Sequence, residues 1–347
     1  GLHHAYTLRQ PIGPVAAIVP FNGPLVIASW KIAPALASGC SIVVKPALST
    51  PLSVLRLAQL ITDVGIPDGV VGVLSGDGDT VGSQLGAHPG IAMITCTAST
   101  ETGRKLLRSS AESNLKRVTL ELGGKSPFIV FPDADLRAAV AGAVDAIFGN
   151  TGQTCVAGSR ILVHRKIAPR FTDAFCEASN RLQIGDPFDA DTELGPVANF
   201  SHRQRIHQLV TSSEATCLLG GVIPDRIGAY YPPTICVDVS TTDCLWTEEV
   251  FGPVAVIAEF DSENDALMLA NNSNYGLAAS VWTKDLIRAH KMSAGLNAGI
   301  VWVNTHNLPA PAMPIGGKGQ SGWGRELGDE GLDAFLETKS VMMNLNE

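Results

Sequence analysis

The segment VAAIVPFNGPLVIASWKIAPALASGCSIVVK, residues 15–45, predicts a complete strand–helix–strand unit. Residues 15–19 and 41–45 are rich in Val and Ile, which favour strands. Residues 25–37 have a helical pattern, and Gly39 is suited to end that helix. Two strands joined through a helix pair in parallel, so the segment predicts the beginning of a doubly wound α/β sheet.

The same alternation continues outward in two series that meet near residues 121–124. We expect further strands at residues 70–74, 91–97, 118–122, 128–130, 161–163, 254–259, 278–282 and 299–304, and helices at 50–64, 135–148, 169–182, 200–214 and 284–294. Thr50 is a suitable N-cap for the first of these helices, with Pro51 at its first position. The fold class predicted is α/β, with two doubly wound Rossmann-like domains.

Composition excludes several classes of protein. The chain has 347 residues, 45% hydrophobic and 17% charged, with a net charge of −8, which is typical of a chain with a large core and argues against nucleic-acid binding. No apolar run has the length of a membrane span. Seven cysteines at irregular spacing, with no CxxC, indicate reduced thiols and a cytoplasmic location. No metal-ligand spacing is present, so we expect no metal site.

The sequence FGNTGQTCVAG places Cys155 directly after a glycine-rich loop. Small residues there would let another group approach the sulfur atom. A thiol with an ordinary pKa of about 8.5 is mostly protonated at neutral pH, so a nucleophilic role would need nearby N–H groups or positive charge. The alternative is a small buried apolar side chain.

Two polar residues at strand ends are further candidates. Glu121 ends the VTLEL strand before Gly123 and Gly124, where it could act as a general base or simply as a salt-bridge partner. Asn22 follows the first strand in VPFNGP, where it could donate to an oxyanion or simply cap the helix.

Two segments could bind phosphate or ribose. Lys45 follows a buried strand, and ligands bind at such strand ends in parallel sheets, although a surface lysine is an equal alternative. Ser99, Thr100 and Gly103 in TASTETG open a helix whose N-terminus is suited to a pyrophosphate. The G-x-G-x-x-G pattern is absent, so this signal alone is weak.

Six motifs together resemble the aldehyde dehydrogenase superfamily over essentially the whole chain. They occur in the order typical of that family: PFNGP (20–24), KPALSTP (45–51), LELGGKSP (120–127), FGNTGQTC (148–155), EEVFGPV (248–254) and PIGGKGQSGWGRE (314–326). Any one of these motifs would be weak evidence, but coincidence does not account for six in order.

The resemblance implies a role for each candidate. Cys155 would be the nucleophile, Asn22 and the Cys155 backbone N–H the oxyanion donors, and Glu121 the base that activates water. The thiolate would form a thiohemiacetal, hydride would pass to NAD or NADP, and water would hydrolyse the thioester to a carboxylic acid. The residues implied in cofactor binding are Lys45, Ser99, Gly103, Glu249, Phe251, Phe21 and Pro20.

The resemblance also implies a division of the chain. Residues 11–122 would be the cofactor-binding domain, incomplete at its N-terminus, and residues 123–330 the catalytic domain. Residues 1–10 would be a partial oligomerisation strand, and 331–347 a helix end with a second such strand, in a homodimer or homotetramer. The family usually has a longer segment before Gly1, so we expect a fragment or a shortened paralogue.

Departures from the family pattern bear on specificity. Leu48 stands where the family usually has a Glu that binds the adenosine ribose, so strict preference for NAD is not expected and the choice between NAD and NADP stays open. Gly23, Gly149 and Ile315 stand where relatives often have aromatic residues, which predicts a roomy pocket for a medium-sized or bulky aldehyde. The expected pocket residues are Gly23, Ile27, Trp30, Gly149, Thr154, Val156, His306 and Ile315. For His306 a structural role is an equal alternative.

Two other functions remain open on the sequence. The chain could be a catalytically weak, truncated paralogue that serves as a binding or assembly subunit. It could also be a thiol esterase that uses Cys155 and Asn22 without a cofactor.

Overall fold

The computed structural model describes residues 2–308 and 310–345, which divide into two compact units. Unit 1 contains residues 2–122, 310–316 and 322–345, and unit 2 contains residues 123–308 and 317–321. The assignment of functional domains to stretches of the chain stays a prediction.

Strands and helices are numbered in chain order. Up to residue 122 they are β1 (His3–Pro11), β2 (Val15–Ile18), α1 (Pro24–Ser38), β3 (Ile42–Lys45), α2 (Leu52–Asp63), β4 (Val71–Val73), α3 (Ser83–Ala87), β5 (Met93–Thr97), α4 (Thr100–Ala111) and β6 (Arg117–Glu121). Unit 2 follows with β7 (Pro127–Val130), α5 (Leu136–Phe148), β8 (Arg160–His164), α6 (Ala168–Asn180), α7 (Phe200–Ser212), β9 (Thr216–Leu219), β10 (Thr234–Val237), α8 (Cys244–Thr247), β11 (Val254–Phe260), α9 (Glu263–Asn271), β12 (Ala278–Trp282), α10 (Leu286–Gly295) and β13 (Ile300–Val303). The chain ends with β14 (Gly322–Trp323), α11 (Gly328–Asp333) and β15 (Leu336–Asn344).

The six-stranded sheet of unit 1 has the order β14-β6-β5-β2-β3-β4 and is parallel except for β14. Strand β2 pairs with β3 on one side and with β5 on the other, so the direction of winding reverses at β2. Val15 and Ala17 pack into one apolar cluster, while Ala16 and Ile18 pack into another on the opposite face. Apolar layers therefore cover both faces, as expected for a parallel sheet.

The seven-stranded sheet of unit 2 has the order β13-β12-β7-β8-β11-β10-β9. Only β9, at the edge, is antiparallel to its neighbour. Phe128 and Val130 pack on one face of β7, and Ile129 and Phe131 pack on the other. Because β7, β8 and β11 are parallel neighbours, the loops that precede them meet at the same edge of the sheet.

Strands β1 and β15 form a separate antiparallel ribbon within unit 1, paired from His3–Asn344 to Pro11–Leu336. All nine residues of β1 are exposed, and the apolar side chains of Tyr6 and Leu8 are among them.

The predicted start of α2 is wrong in detail. Pro51 occupies the N-cap rather than the first helical position, and its side chain makes no capping hydrogen bond. The Thr50 hydroxyl does not cap the helix and is buried with no hydrogen-bond partner among the described residues. The sequence also did not predict α8, α9, β9 or β10. The two strands are only four residues long and lie in a loop-like stretch.

Candidate active site

The loop that carries Cys155 has an unusual backbone. After α5 ends at Phe148, Asn150, Thr151 and Gly152 all have positive φ angles, of 51°, 57° and 69°. Non-glycine residues adopt this left-handed conformation rarely, and such strain is typical of functional sites. Cys155 follows three residues later, with a half-buried thiol side chain. The structure therefore does not place Cys155 in a closed apolar core.

Two glycines, Gly152 of this loop and Gly124 of another, allow close packing around this segment. A Cβ atom on Gly152 would lie 2.1 Å from the carbonyl oxygen of Gly252. A Cβ atom on Gly124 would lie 2.4 Å from the carbonyl oxygen of Cys155. The thiol loop therefore contacts the backbone of the 123–126 segment and of the 248–253 segment directly, and no larger residue fits at either glycine.

Glu249 is held beside the same glycine pair. The backbone N–H of Gly124 donates to Oε1 of Glu249 at 2.9 Å, and a Cβ atom on Gly123 would lie 2.2 Å from Oε2. Loss of hydration raises the pKa of Glu249 to about 7, although the Gly124 N–H and the Lys125 and Arg205 charges oppose this shift. At neutral pH the carboxyl group is therefore close to half protonated.

Helix α7 fixes the backbone of the loop that contains Glu249. Arg205 donates to the carbonyl oxygens of Glu249 and Val250, both at 2.9 Å. His202 Nε2 lies 2.7 Å from the carbonyl oxygen of Phe251, a residue whose φ is 57°. His202 and Arg205 were not predicted from the sequence, because nothing in the α7 pattern indicates which loop these side chains reach.

A small cavity lies within unit 2 at this point. Its lining includes Gly124, Ile147, Gly152, Thr154, Glu249 and Phe251. The predicted pocket residue Thr154 and the predicted cofactor contacts Glu249 and Phe251 therefore share one cavity.

His306 is part of the support of the thiol loop. Its Nε2 lies 2.9 Å from the carbonyl oxygen of Val156, and its Nδ1 lies 3.2 Å from the Ser280 hydroxyl. The ring also packs against Phe128 and Trp302. Burial lowers the pKa of His306 to about 4, so the ring is neutral at physiological pH. These contacts favour the structural alternative for this residue.

Unit 1 places its candidate residues at the carboxyl edge of its sheet. Asn22 follows β2, Lys45 ends β3, and Ser99 follows β5. These three strands are adjacent and parallel, and the winding reverses at β2. Crevices at such reversal points are where doubly wound sheets bind nucleotides. The residues present therefore fit a phosphorylated dinucleotide.

Lys45 is buried, so the surface alternative is wrong. Burial lowers the pKa of Lys45, and the Asp77 carboxylate partly offsets that effect. Its Nζ donates to the carbonyl oxygen of Pro46 at 3.2 Å. The side chain therefore presents a largely desolvated amine at the end of β3. Leu48, three residues further on, is exposed.

The two predicted pyrophosphate contacts differ in their surroundings. Ser99 is the N-cap of the 12-residue helix α4, and its Oγ accepts from the Thr102 N–H at 3.2 Å. Gly103 is buried inside that helix, where a Cβ atom would lie 2.8 Å from Leu122. Close packing of α4 on the sheet by itself explains the glycine at position 103.

Glu121 ends β6 as a buried residue. The carboxylate lies against the backbone of the PIGG segment, because a Cβ atom on Gly316 would lie 2.6 Å from Glu121 Oε1. Strand β14 pairs Gly322 with Glu121 in the same unit. Gly316 and residues 322–323 of this motif therefore lie against the end of the strand that carries the predicted base.

A buried ion pair in unit 1 was not predicted. Lys31 of α1 is fully buried and pairs with Glu326, and its Nζ also donates to Thr95 Oγ1 at 3.1 Å. A lysine in an otherwise apolar helix, WKIAPALAS, is the signal that could have found it. Nothing in the sequence indicates that its partner follows 295 residues later.

Comparison with known proteins establishes the class. The aldehyde dehydrogenase family matches residues 2–341, and the chain belongs to this family. It is 43% identical to the (Z)-2-((N-methylformamido)methylene)-5-hydroxybutyrolactone dehydrogenase of Acinetobacter baylyi, over 99% of this chain and 71% of that protein. It is 44% identical to the NADP/NAD-dependent aldehyde dehydrogenase PuuC of Escherichia coli, over 98% of this chain and 69% of that protein.

Solved structures also match this chain in fold. Betaine aldehyde dehydrogenase from Staphylococcus aureus, in complex with NAD+, matches with a TM-score of 0.97 and 40% identity, over 100% of this chain and 70% of that chain. PnpE in complex with nicotinamide adenine dinucleotide matches with a TM-score of 0.97 and 44% identity, over 100% and 72%. The predicted family, the α/β fold class and the activity, oxidation of an aldehyde with NAD or NADP, are confirmed. In the part of the chain that the structure describes, no helix combines the length and apolarity that a membrane crossing requires.

Proposed function

We propose that this chain oxidises its aldehyde through Cys155. The supporting observation is the run of three left-handed residues, 150–152, that precedes the half-buried thiol. Strain of this kind is retained where a side chain must be presented in one position. Addition of the thiolate to the aldehyde carbonyl gives a thiohemiacetal, whose oxyanion the Asn22 amide and the Cys155 backbone N–H stabilise.

We assign cofactor binding to Lys45 and Ser99, with Pro20 and Phe21 in the turn after β2, and to Glu249 and Phe251. A bound nicotinamide cofactor supplies the hydride acceptor. Leu48 offers neither a carboxylate for a ribose hydroxyl nor a charge that repels a 2′-phosphate, so we propose that both NAD and NADP are used.

Release of the product needs a base. We assign this role to Glu121, which takes a proton from water so that the hydroxide attacks the thioester and frees the carboxylic acid and the Cys155 thiol. Support comes from its buried position at the end of β6, against the backbone of Gly316. Glu249 is the carboxyl group whose pKa of about 7 also suits proton transfer. The catalytic activities of the Glu121→Gln and Glu249→Gln variants therefore need to be compared.

We propose a medium-sized or bulky aldehyde as the substrate. Two glycines at expected pocket positions have space beside them. No atom lies within 4 Å of a Cβ atom built on Gly149. The nearest atom to a Cβ atom built on Gly23 is Ile27 Cγ1, at 3.5 Å. Turnover of acetaldehyde-sized substrates alone, with none of the larger aldehydes oxidised, would show that the pocket is narrow.

The direct test is the rise in absorbance at 340 nm with NAD and with NADP, over a panel of aldehydes. We expect Cys155→Ser to lose at least about a thousandfold in kcat, as for removal of a covalent nucleophile. Cys176→Ser is the matched control, because Cys176 is a half-buried thiol of α6 in the same unit, and it should keep its activity. Full activity of Cys155→Ser would show that the nucleophile is assigned wrongly.

We propose that the β1–β15 ribbon mediates a homodimer or homotetramer. Exposed apolar residues on both strands support this: Tyr6, Leu8, Met342 and Met343. A double substitution, Tyr6→Lys with Met342→Lys, should shift the mass measured by light scattering toward the monomer. An unchanged mass would exclude the ribbon from the interface. The cytoplasmic location stays a prediction.

A further inference from the structure

Two cysteines outside the active site have their sulfur atoms in contact. Cys217 on the edge strand β9 and Cys236 on β10 are both free thiols, and their Sγ atoms lie 2.9 Å apart. Cys217 is exposed and Cys236 is fully buried. Cys217 is therefore accessible to a reagent from solvent, and the buried Cys236 sulfur is in contact with the Cys217 sulfur.

A β-bulge produces this contact. Ile235 pairs with Leu219, but the register then shifts, so that Cys236 pairs with Cys217 and Val237 with Thr216. Leu218 is the extra residue of the bulged strand. Without the bulge, Cys236 would pair with Leu218, and the Cys217 side chain would lie on the opposite face of the sheet. Directly opposed residues on antiparallel strands have Cα atoms about 4.5–5.5 Å apart, which suits a disulfide.

We propose that Cys217 and Cys236 form a redox-active thiol pair, which a hydroperoxide converts into an intrachain disulfide. The Cys217 thiolate attacks a peroxide oxygen, the O–O bond breaks, and a sulfenic acid and one molecule of water form. Cys236 sulfur then attacks the Cys217 sulfur, and the hydroxyl group leaves as a second molecule of water. Overall, two thiols lose two electrons and two protons, and hydrogen peroxide is reduced to two molecules of water.

The order of the two steps follows from the surroundings of each sulfur. Burial and contact with Cys217 raise the pKa of Cys236, so this thiol is not the first to react with peroxide. Contact makes the second step intramolecular, so the sulfenic acid is captured before a second peroxide oxidises it to a sulfinic acid. A thiol reductant restores both groups.

Cys244 provides a matched control. It is a half-buried thiol in the same unit, but its Sγ lies 3.6 Å from the Ser212 hydroxyl and 3.4 Å from the Leu209 carbonyl oxygen rather than beside another sulfur. Trypsin cleavage after Arg226 separates Cys217 from Cys236 but leaves Cys236 and Cys244 in one peptide. Cys244→Ser therefore shows which of the two is linked.

The experiment uses the full chain with Cys155→Ser, which removes the proposed nucleophile and leaves six cysteines. After treatment with one equivalent of hydrogen peroxide, we expect free thiols counted in denaturant to fall from six to four. Mass spectrometry of the unreduced digest should show residues 206–226 joined to residues 227–284. Dithiothreitol should reverse both results.

Cysteine-to-serine variants show whether the cross-link is the Cys217–Cys236 disulfide. In the Cys155→Ser background, Cys217→Ser and Cys236→Ser should each abolish the linked peptide. Cys236→Ser should leave Cys217 as a sulfenic acid, which a second equivalent of peroxide oxidises to a sulfinic acid. Cys244→Ser should keep the full yield. The proposal is overturned if the unsubstituted pair is oxidised to a sulfenic or sulfinic acid without a cross-link, or if the linked peptide persists in Cys236→Ser.

Discussion

The Gly124 N–H donates a hydrogen bond of 2.9 Å to Glu249 Oε1, while the Cα of the same glycine faces the carbonyl oxygen of Cys155. One residue thus orients a predicted cofactor contact and leaves room for the nucleophile loop. The close approach of the Cys155 loop depends on the absence of a side chain, because a Cβ atom on Gly124 would lie 2.4 Å from the Cys155 oxygen.

Gly124→Ala should reduce kcat/KM by about a hundredfold, since displacement of a reacting group by about 1 Å has an effect of that size. Steady-state kinetics with a saturating cofactor measures this loss. Gly78→Ala is the control, because no atom lies within 4 Å of a Cβ atom built on Gly78. Equal activity of the two variants would show that the packing around Gly124 is not needed for catalysis.

The pH dependence of stability should report on Glu249. Its pKa is about 7 in the folded chain against an ordinary value of 4.5, so between these values the unfolded chain releases a proton that the folded chain keeps. The stabilising contribution is complete below pH 4.5 and is lost as the pH rises through 7, by at most about 3 kcal/mol. Urea unfolding of the parent and of Glu249→Gln at pH 5 and pH 8 measures the difference.

In that experiment, the free energy of unfolding of Glu249→Gln relative to the parent should be higher at pH 8 than at pH 5. At pH 8 the parent must bury an ionised carboxylate, and the variant does not. Gln can still accept from the Gly124 N–H, so this contact is retained in the variant. If the difference in unfolding free energy between parent and variant does not change with pH, the Glu249 carboxyl group has the same pKa in the folded and the unfolded chain.

The buried ion pair of unit 1 should be sensitive to loss of one partner. Lys31→Met leaves the Glu326 carboxylate buried without its cation, which typically costs about 3–5 kcal/mol of unfolding free energy. Lys31→Met with Glu326→Leu should recover most of the loss, because both charges are then absent. Denaturant unfolding of the single and double variants provides the test.

The exposed pair Lys105–Glu101 is the control for that comparison, and Lys105→Met should cost less than about 1 kcal/mol. If Lys31→Met and Lys105→Met lower the free energy of unfolding by equally small amounts, the burial of the Lys31–Glu326 pair has no energetic consequence.

Lys45→Met should weaken cofactor binding without destabilising the chain. A charge-assisted hydrogen bond contributes about 1.5–3 kcal/mol, so KM for the cofactor should rise about 10- to 100-fold. Thermal stability should stay the same or increase, because burial already disfavours the charged amine, as its lowered pKa indicates. Lys166→Met, at an exposed lysine, should change neither quantity. An unchanged cofactor KM in Lys45→Met would place the cofactor elsewhere.

Local patterns decided the elements that are long or strongly periodic. Helix α1 begins at Pro24 and ends at Ser38, close to the limits expected from residues 25–37, and Gly39 with a φ of 84° caps it. The strands that flank it, β2 and β3, also lie where the Val and Ile runs predicted them. Such signals are local, because they depend on side-chain periodicity and on the conformations open to glycine and proline.

The sequence by itself determined the α/β class, the family and the motif positions of Cys155, Glu121 and Asn22. Only the tertiary structure decided which loops surround the thiol: those that precede β7, β8 and β11 meet at one sheet edge because these strands are parallel neighbours. It also decided that Lys31 pairs with Glu326 and that a bulge brings Cys217 beside Cys236. These relationships join residues that are distant in the chain or depend on strand register, and no local pattern of side chains encodes either.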